Sequence, residues 1–244
     1  MSRAPRILVV DDEVDNCDNI SDIFTNVGYD VDVAYDGRAA IGLITVNAYD
    51  VAVLDLRMPG MDGLELYRHI KQVSSGTVGI VVTAHPNNDI AIAALKEGVW
   101  DLIPKPIEMP RLLTLLAEAV RSPLILVVDD DSNDCEKLWS IFRHLRYRVY
   151  TAHSHYKAEE ILCRHQFQVV LTNLKLENES GWSMRNLIRW SNQDLQIITL
   201  TDDLNEIEAR VEQAVAIRGQ SVEQAERSAV SNGPAASAAC IKKS

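Results

Sequence analysis

The chain has 244 residues, 47% of them hydrophobic, and 24 Lys+Arg against 35 Asp+Glu give a net charge of −11. This length holds one large domain or two ordinary ones, each able to bury its own core, and the acidic balance argues against a nucleic-acid clamp. No apolar run approaches the roughly 18 residues that cross a bilayer. Acids at Asp11 and Asp12 cut the N-terminal stretch short of a signal peptide, so a cytoplasmic protein without membrane contact is expected. Cys17, Cys135, Cys163 and Cys240 show no CxxC spacing, and reduced thiols are the expectation.

In chain order, RILVV (6–10), DVDVA (30–34), DVAVL (50–54), VGIVV (78–82) and WDLI (100–103) are apolar runs of strand length. Helical stretches separate them: Val14 to Val27, Gly37 to Val46, Leu64 to Val73, Asp89 to Glu97 and Met109 to Arg121. Strands apolar on both faces, alternating with helices, imply a parallel α/β sheet. Ser122–Pro123 then breaks the last helix. Beyond it ILVVDD, first seen at residues 7–12, recurs at 125–130, an offset of 118. The same offset carries Cys17 onto Cys135, Asp55 onto Asn173, Gly63 onto Gly181 and Thr83 onto Thr201. One offset held without slip means two copies of one fold. Residues 1–121 are expected to form the first domain, 122–217 a second, and 218–244 a helical extension with a disordered tail.

Ligands of open parallel sheets sit at the carboxyl ends of the strands. In the first copy those ends carry Asp11 and Asp12, Asp55, Thr83 and Lys105. Three carboxylates at adjacent strand ends repel one another unless a cation neutralises them. An all-oxygen set at an open edge suits Mg²⁺. A carboxylate beside such an ion can attack phosphorus, and a hydroxyl and an ammonium nearby can hold phosphoryl oxygens. Taken alone, Asp11 and Asp12 would also serve as a helix N-terminus with favourable dipole charge. His69 and His85 have no ligand partner at suitable spacing and are expected at the surface. Trp139, Trp182 and Trp190 are core or interface anchors, which the sequence does not separate. Pro106 after Lys105 is expected in a cis turn.

VVDDE, VLDLRMPGMDG, VVTAH and IPKP, in this order and spacing, resemble the receiver domain of bacterial two-component response regulators. The resemblance covers residues 6–121 and about 124–203. It implies two doubly wound α/β domains, five parallel strands each in the order 2-1-3-4-5. It also implies that Asp55 accepts a phosphoryl group from a sensor histidine kinase or phosphotransfer protein. Asp12, Asp55 and the main-chain carbonyl of Arg57 would ligate Mg²⁺, Asp11 acting through water, while Thr83 and Lys105 stabilise the phosphoryl group. The family's aromatic switch position falls on Leu102, with Trp100 two residues earlier.

The second copy keeps Asp129, Asp130 and Thr201, but Asn173 replaces the nucleophile and Glu223 stands in the lysine slot. It resembles a pseudo-receiver. After Thr201 no β-branched run offers a fifth strand; Leu204, Ile207, Val211 and Val215 recur at helical spacing instead. The second domain is thus expected either to lack its fifth strand and helix or to use a remodelled helical extension. The reading that follows is a response regulator that promotes only its own phosphorylation and dephosphorylation. It would switch protein contacts near Thr83, Trp100 and Lys105, through that face or through the second domain docked near it, with a downstream protein or a second copy as partner. Two alternatives stand: the receiver portion of a larger hybrid kinase or regulator, and a Mg²⁺-dependent hydrolase using Asp11, Asp12 and Asp55. No general acid/base beside Asp55 supports the hydrolase.

Overall fold

The computed structural model describes residues 3–173, 195–201 and 203–216. The first copy alternates strand and helix throughout: β1 (Arg6–Val10), α1 (Val14–Asn26), β2 (Asp30–Ala34), α2 (Gly37–Val46) and β3 (Val51–Asp55). It continues with α3 (Gly63–Val73), β4 (Val78–Thr83), α4 (Asn88–Glu97), β5 (Asp101–Pro104) and α5 (Met109–Arg121). Its five strands are parallel, in the order β2-β1-β3-β4-β5. Short polar side chains start the helices: Asp36, Asp62 and Asn87 each accept a bond from a first-turn amide. The central strands β3 and β4 are buried along their whole length. One face of the sheet packs on α2, α3 and α4 through Leu54, Leu66, Tyr67 and Ala94. The other packs on α1 and α5 through Ile7, Phe24, Leu112 and Leu116.

The second copy comprises β6 (Leu124–Val128), α6 (Ser132–His144), β7 (Arg148–Ala152), α7 (His155–Arg164), β8 (Val169–Thr172) and β9 (Gln196–Thr199). Residues 204–216 add a helix, here α8. Its sheet is parallel, in the order β7-β6-β8-β9. The 118-residue offset holds at the level of register. Val51 faces Val78 in the first sheet and Val169 faces Gln196 in the second; Arg6 faces Asp30, and Leu124 faces Arg148. Among the described residues the second sheet has four strands, as the missing β-branched run requires.

The second copy differs most at α8. By the offset, α8 occupies the sequence slot of α4. In the first copy, α4 packs with α2 and α3 through Ala94. Ile207, Val211 and Ala214 of α8 instead bury against Cys135, Trp139 and Phe142 of α6, on the face where α5 lies in the first copy. Without a fifth strand the sheet is narrower, and the helix after β9 covers the apolar face next to α6. This is the remodelled extension that the helical spacing of Ile207 and Val211 implies. Gly181, Trp182, Trp190, Gly219, Glu223, Cys240 and the extension and tail expected over 218–244 lie outside the described residues.

The two domains meet along the strand-start edge of the first sheet. Arg148 Nη2 donates to Asp50 Oδ1 (2.8 Å), Thr151 N to Ser75 Oγ (2.9 Å) and Trp139 Nε1 to the Ser75 carbonyl (2.9 Å). Arg146 Nη1 donates to the Trp100 carbonyl at 2.6 Å, with its guanidinium 4.9 Å from the Trp100 ring centre. Trp100 therefore lies at the edge opposite Thr83 and Lys105. The expectation that these three share a face is corrected: Trp100 precedes β5, whereas Thr83 closes β4 and Lys105 follows β5.

Candidate functional site

Asp11 follows β1, Asp55 closes β3 and Thr83 closes β4, so strand pairing alone brings them together at one sheet edge. Asp11 and Asp55 are buried and Asp12 is exposed. One carboxylate oxygen from each of Asp11, Asp12 and Asp55 lies within 4.8 Å of the others. Three local features hold this geometry. Glu13 N donates to Asp11 Oδ1 at 2.9 Å, and the Cys17 thiol reaches the Asp11 carbonyl at 3.4 Å. Gly63, the first residue of α3, lies so close under the Asp55 carbonyl that a Cβ there would run into the main chain. The Gly63 of the DLRMPGMDG run is thus required by a close approach of backbone to backbone.

Lys105 completes the cluster. Its Nζ lies 2.9 Å from Asp11 Oδ2 and 3.2 Å from Asp55 Oδ1. Its main-chain N donates to the Thr83 carbonyl at 2.7 Å, next to the cis Lys105–Pro106 bond. Burial pushes the Asp55 carboxyl above its ordinary value; Lys105 opposes that push, and the charges of Asp11 and Asp12 add to it. For the Lys105 ammonium burial disfavours the charge, but Asp11 and Asp55 outweigh burial and raise its pKa. The pocket therefore holds more negative charge than one ammonium neutralises. Thr83 is fully buried, and its Oγ1 accepts from His85 N at 3.2 Å, tying the loop after β4 to the site. His69 and His85 themselves are exposed, as expected. Arg57 lies two residues beyond Asp55 in the exposed turn before α3 and is not among the three clustered acids.

The donor set fits a hard divalent cation. All three groups are carboxylate oxygens, their mutual repulsion is only partly relieved by Lys105, and the exposed Asp12 leaves the edge open to water.

The equivalent edge of the second domain is wired differently. Asp131 N donates to Asp129 Oδ1 at 2.9 Å, and the Cys135 thiol reaches the Asp129 carbonyl at 3.5 Å, repeating the first copy. Asp129 Oδ2, however, accepts from the Asn173 amide Nδ2 at 3.2 Å, where Asp11 Oδ2 accepts from Lys105. Asn173 thus supplies a donor at the place where the first copy holds a second carboxylate. Thr201 is exposed, and its hydroxyl donates to the Asp203 carbonyl at 3.4 Å. Among the described residues the second edge pairs an amide with an acid where the first copy pairs acids with an ammonium.

Comparison with known proteins agrees with this geometry. Residues 7–117 and again 125–220 match the family described as response regulator receiver domain. A response regulator receiver protein of Anaeromyxobacter sp. (strain Fw109-5) is 36% identical over 156 residues, covering 64% of this chain and 66% of that protein. The transcriptional regulatory protein ZraR of Klebsiella oxytoca is 33% identical over 114 residues, 47% of this chain and 26% of its own length. A solved receiver domain protein (CheY-like) from Methanospirillum hungatei JF-1 is 27% identical, with a TM-score of 0.47, covering 48% of this chain and 94% of that one. The chain spans less than two thirds of the length of these two curated relatives. The doubly matched family, both sheets and the acidic edge define a protein of the two-component signalling class. The chain belongs to the response regulator receiver family and carries two copies of its domain. Receiver domains bind Mg²⁺ at an acidic pocket and interact with histidine kinases or phosphotransfer proteins, and this chain has a cluster of Asp11, Asp12 and Asp55.

Of the interface residues, the sequence reading singled out only Trp139, as a core or interface anchor, and missed Arg143, Arg146, Arg148 and Tyr150. At the 118-residue offset, Ser21, Thr25, Gly28, Asp30 and Asp32 of the first copy correspond to Trp139, Arg143, Arg146, Arg148 and Tyr150 of the second. All five replacements touch the first domain. Subtracting one copy from the other would have exposed them.

Proposed function

We propose that the chain is a Mg²⁺-dependent response regulator in which Asp55 accepts a phosphoryl group from a phosphohistidine of a sensor kinase or phosphotransfer protein. The observation that carries this reading is the placement of Asp55 at the end of β3, in contact with Lys105 and within one cluster with Asp11 and Asp12. An Asp55 carboxylate oxygen attacks phosphorus while the bond to the donor nitrogen breaks, giving an acyl phosphate. Asp11, Asp12, Asp55 and the Arg57 carbonyl would hold the ion, which neutralises charge on the transferring oxygens. Lys105 hands one of its carboxylate contacts over to a phosphoryl oxygen, and the Thr83 hydroxyl turns toward another. Movement of Thr83 pulls on the loop through His85 N and biases the domain between two conformations.

The second domain, residues 122–217, acts as a pseudo-receiver. Its Asn173 amide is a poor nucleophile, and its bond to Asp129 favours a site that stays shut. The interdomain hydrogen bonds among the described residues lie at the strand-start edge of the first sheet. Among the described residues no interdomain hydrogen bond reaches the Asp55 edge, which favours its use by a kinase and by a downstream protein or a second copy. The coverage of only 26% of ZraR favours a second reading: the receiver portion of a longer regulator or hybrid kinase.

Intact-mass spectrometry after incubation with acetyl phosphate and Mg²⁺ tests both domains at once. One added phosphoryl group, absent from Asp55→Asn, is the expected result. Two groups would overturn the pseudo-receiver reading, and none would remove Asp55 as acceptor.

A further inference from the structure

A cleft of about 540 Å³ opens where the two domains and their linker meet, away from the Asp55 edge. Arg3 and Asp50 line it from the first domain, Arg121 from the end of α5, and Arg148, Arg164 and His165 from the second domain. Four arginines and one aspartate thus line it, in a chain whose net charge is −11. That carboxylate is already committed: Asp50 accepts from Arg6 N (2.8 Å), Arg3 Nη2 (3.3 Å) and Arg148 Nη2 (2.8 Å).

The cations outnumber that carboxylate, and Arg3 and Arg148 share it. The Arg148 side chain is only 7% exposed, and its Nε is buried with no hydrogen-bond partner. Arg148 therefore contributes positive charge to the wall of the cleft, its Nη2 being held by Asp50, rather than a donor open to a ligand. Arg121 is exposed and forms no ion pair among the described residues. Arg164 pairs with Glu160 one helical turn away at 3.2 Å, an exposed pair that exchanges readily. The field in the cleft registers on His165: burial and the charges of Arg148, Arg3 and Arg164 push its pKa down to about 4.

We propose that this cleft binds a small phosphate-bearing anion of the pyrophosphate or nucleoside diphosphate class, which bridges the two domains. The planar fork of arginine matches phosphate oxygens two at a time, and the volume falls within the range of small-molecule sites. Arg3 and Arg121 belong to the first domain and its linker, Arg148 and Arg164 to the second. A ligand held by both sets tightens the docked arrangement. The site is separate from the acidic edge and does not depend on Asp55 being an acceptor.

Calorimetric titration of the whole chain tests this, with EDTA present so that no metal enters the Asp55 cluster. The probes are inorganic pyrophosphate and ADP at fixed ionic strength. Saturable binding is expected, and the exposed pair of changes Arg121→Gln and Arg164→Gln should weaken it at least about tenfold. The same double variant should take up phosphoryl from acetyl phosphate and Mg²⁺ as the parent does. Tighter binding of ADP than of pyrophosphate assigns a nucleotide; equal binding assigns the phosphate groups alone. No heat with either probe, or equal affinity in parent and variant, overturns the proposal.

Discussion

Arg143 of the second domain donates through Nη2 to the Tyr67 hydroxyl of the first at 3.0 Å. The same guanidinium donates through Nε to the Gly98 carbonyl at 3.1 Å and lies 5.1 Å from the Trp100 ring centre and 5.8 Å from that of Trp139. No carboxylate faces it among these contacts; burial lowers its pKa, and carbonyl, hydroxyl and ring faces hold the charge. Desolvating a guanidinium for neutral acceptors is worthwhile only where the site is fully formed. Arg143 therefore couples the folding of the second domain to the docking surface of the first. Arg143→Met should cost about 2–4 kcal/mol, and urea unfolding followed by tryptophan fluorescence should split from one transition into two. A single unshifted transition would show that the domains do not depend on this contact.

Gly76 separates docking from folding of the first domain. It lies in the turn before β4, and a Cβ there would run into the Tyr150 ring of the second domain. Gly76→Ala should loosen the interface, read as faster proteolysis across Ser122–Leu124, while acetyl phosphate labelling of the first domain stays at the parental rate. Loss of labelling in this variant would mean that docking supports the site after all.

Asn173→Asp tests the second edge. The change replaces the amide donor 3.2 Å from Asp129 Oδ2 with a second carboxylate. Two like charges at that distance raise one carboxyl's pKa and destabilise the fold by about 1–2 kcal/mol near neutral pH. Millimolar Mg²⁺ should restore the lost stability in the variant and leave the parent second domain unchanged. Urea midpoints with and without Mg²⁺ measure both.

His165 gives a pH dependence with a definite sign. Its folded pKa is depressed to about 4 from an ordinary 6.5, by burial first and then by Arg148, Arg3 and Arg164, with Asp50 opposing. The unfolded chain thus takes up the proton first. This contribution to stability is full above pH 6.5, falls as the pH drops toward 4, and amounts to at most about 3 kcal/mol. His165→Phe should flatten the slope of the denaturation midpoint between those limits. A slope unchanged in the variant would assign it to other groups.

The strand ends, the duplication and the acidic cluster were legible because they depend on local patterns: β-branched runs, polar residues where strands stop, and one offset repeated without slip. Ile207 and Val211 at helical spacing gave α8 its secondary structure but not its place. Whether a helix covers the α3 face or the α6 face depends on which strands exist to be covered, a tertiary fact. Trp100 was misplaced for a related reason. Its distance of five residues from Lys105 reads as proximity in sequence, yet a strand of four residues carries it to the other pole. Arg146 shows what direct comparison of the copies adds. It holds φ at 64°, in the left-handed region that Gly28 occupies in the first copy with φ at 97°. A side chain kept where glycine is the easier choice is retained here for its reach to Trp100.

β2 and β7 are corresponding border strands of the two sheets, and they meet opposite fates. β2 is mostly half-buried along its length, whereas β7 is buried at four of its five residues, its Thr151 amide satisfied by Ser75. A bare border strand invites pairing with foreign chains. The duplicated halves are consequently unequal as separable parts. The leading half keeps the same half-open border whether or not it is joined, while the trailing half, cut loose, would gain a raw adhesive margin at β7 and depends on its sibling as an internal chaperone.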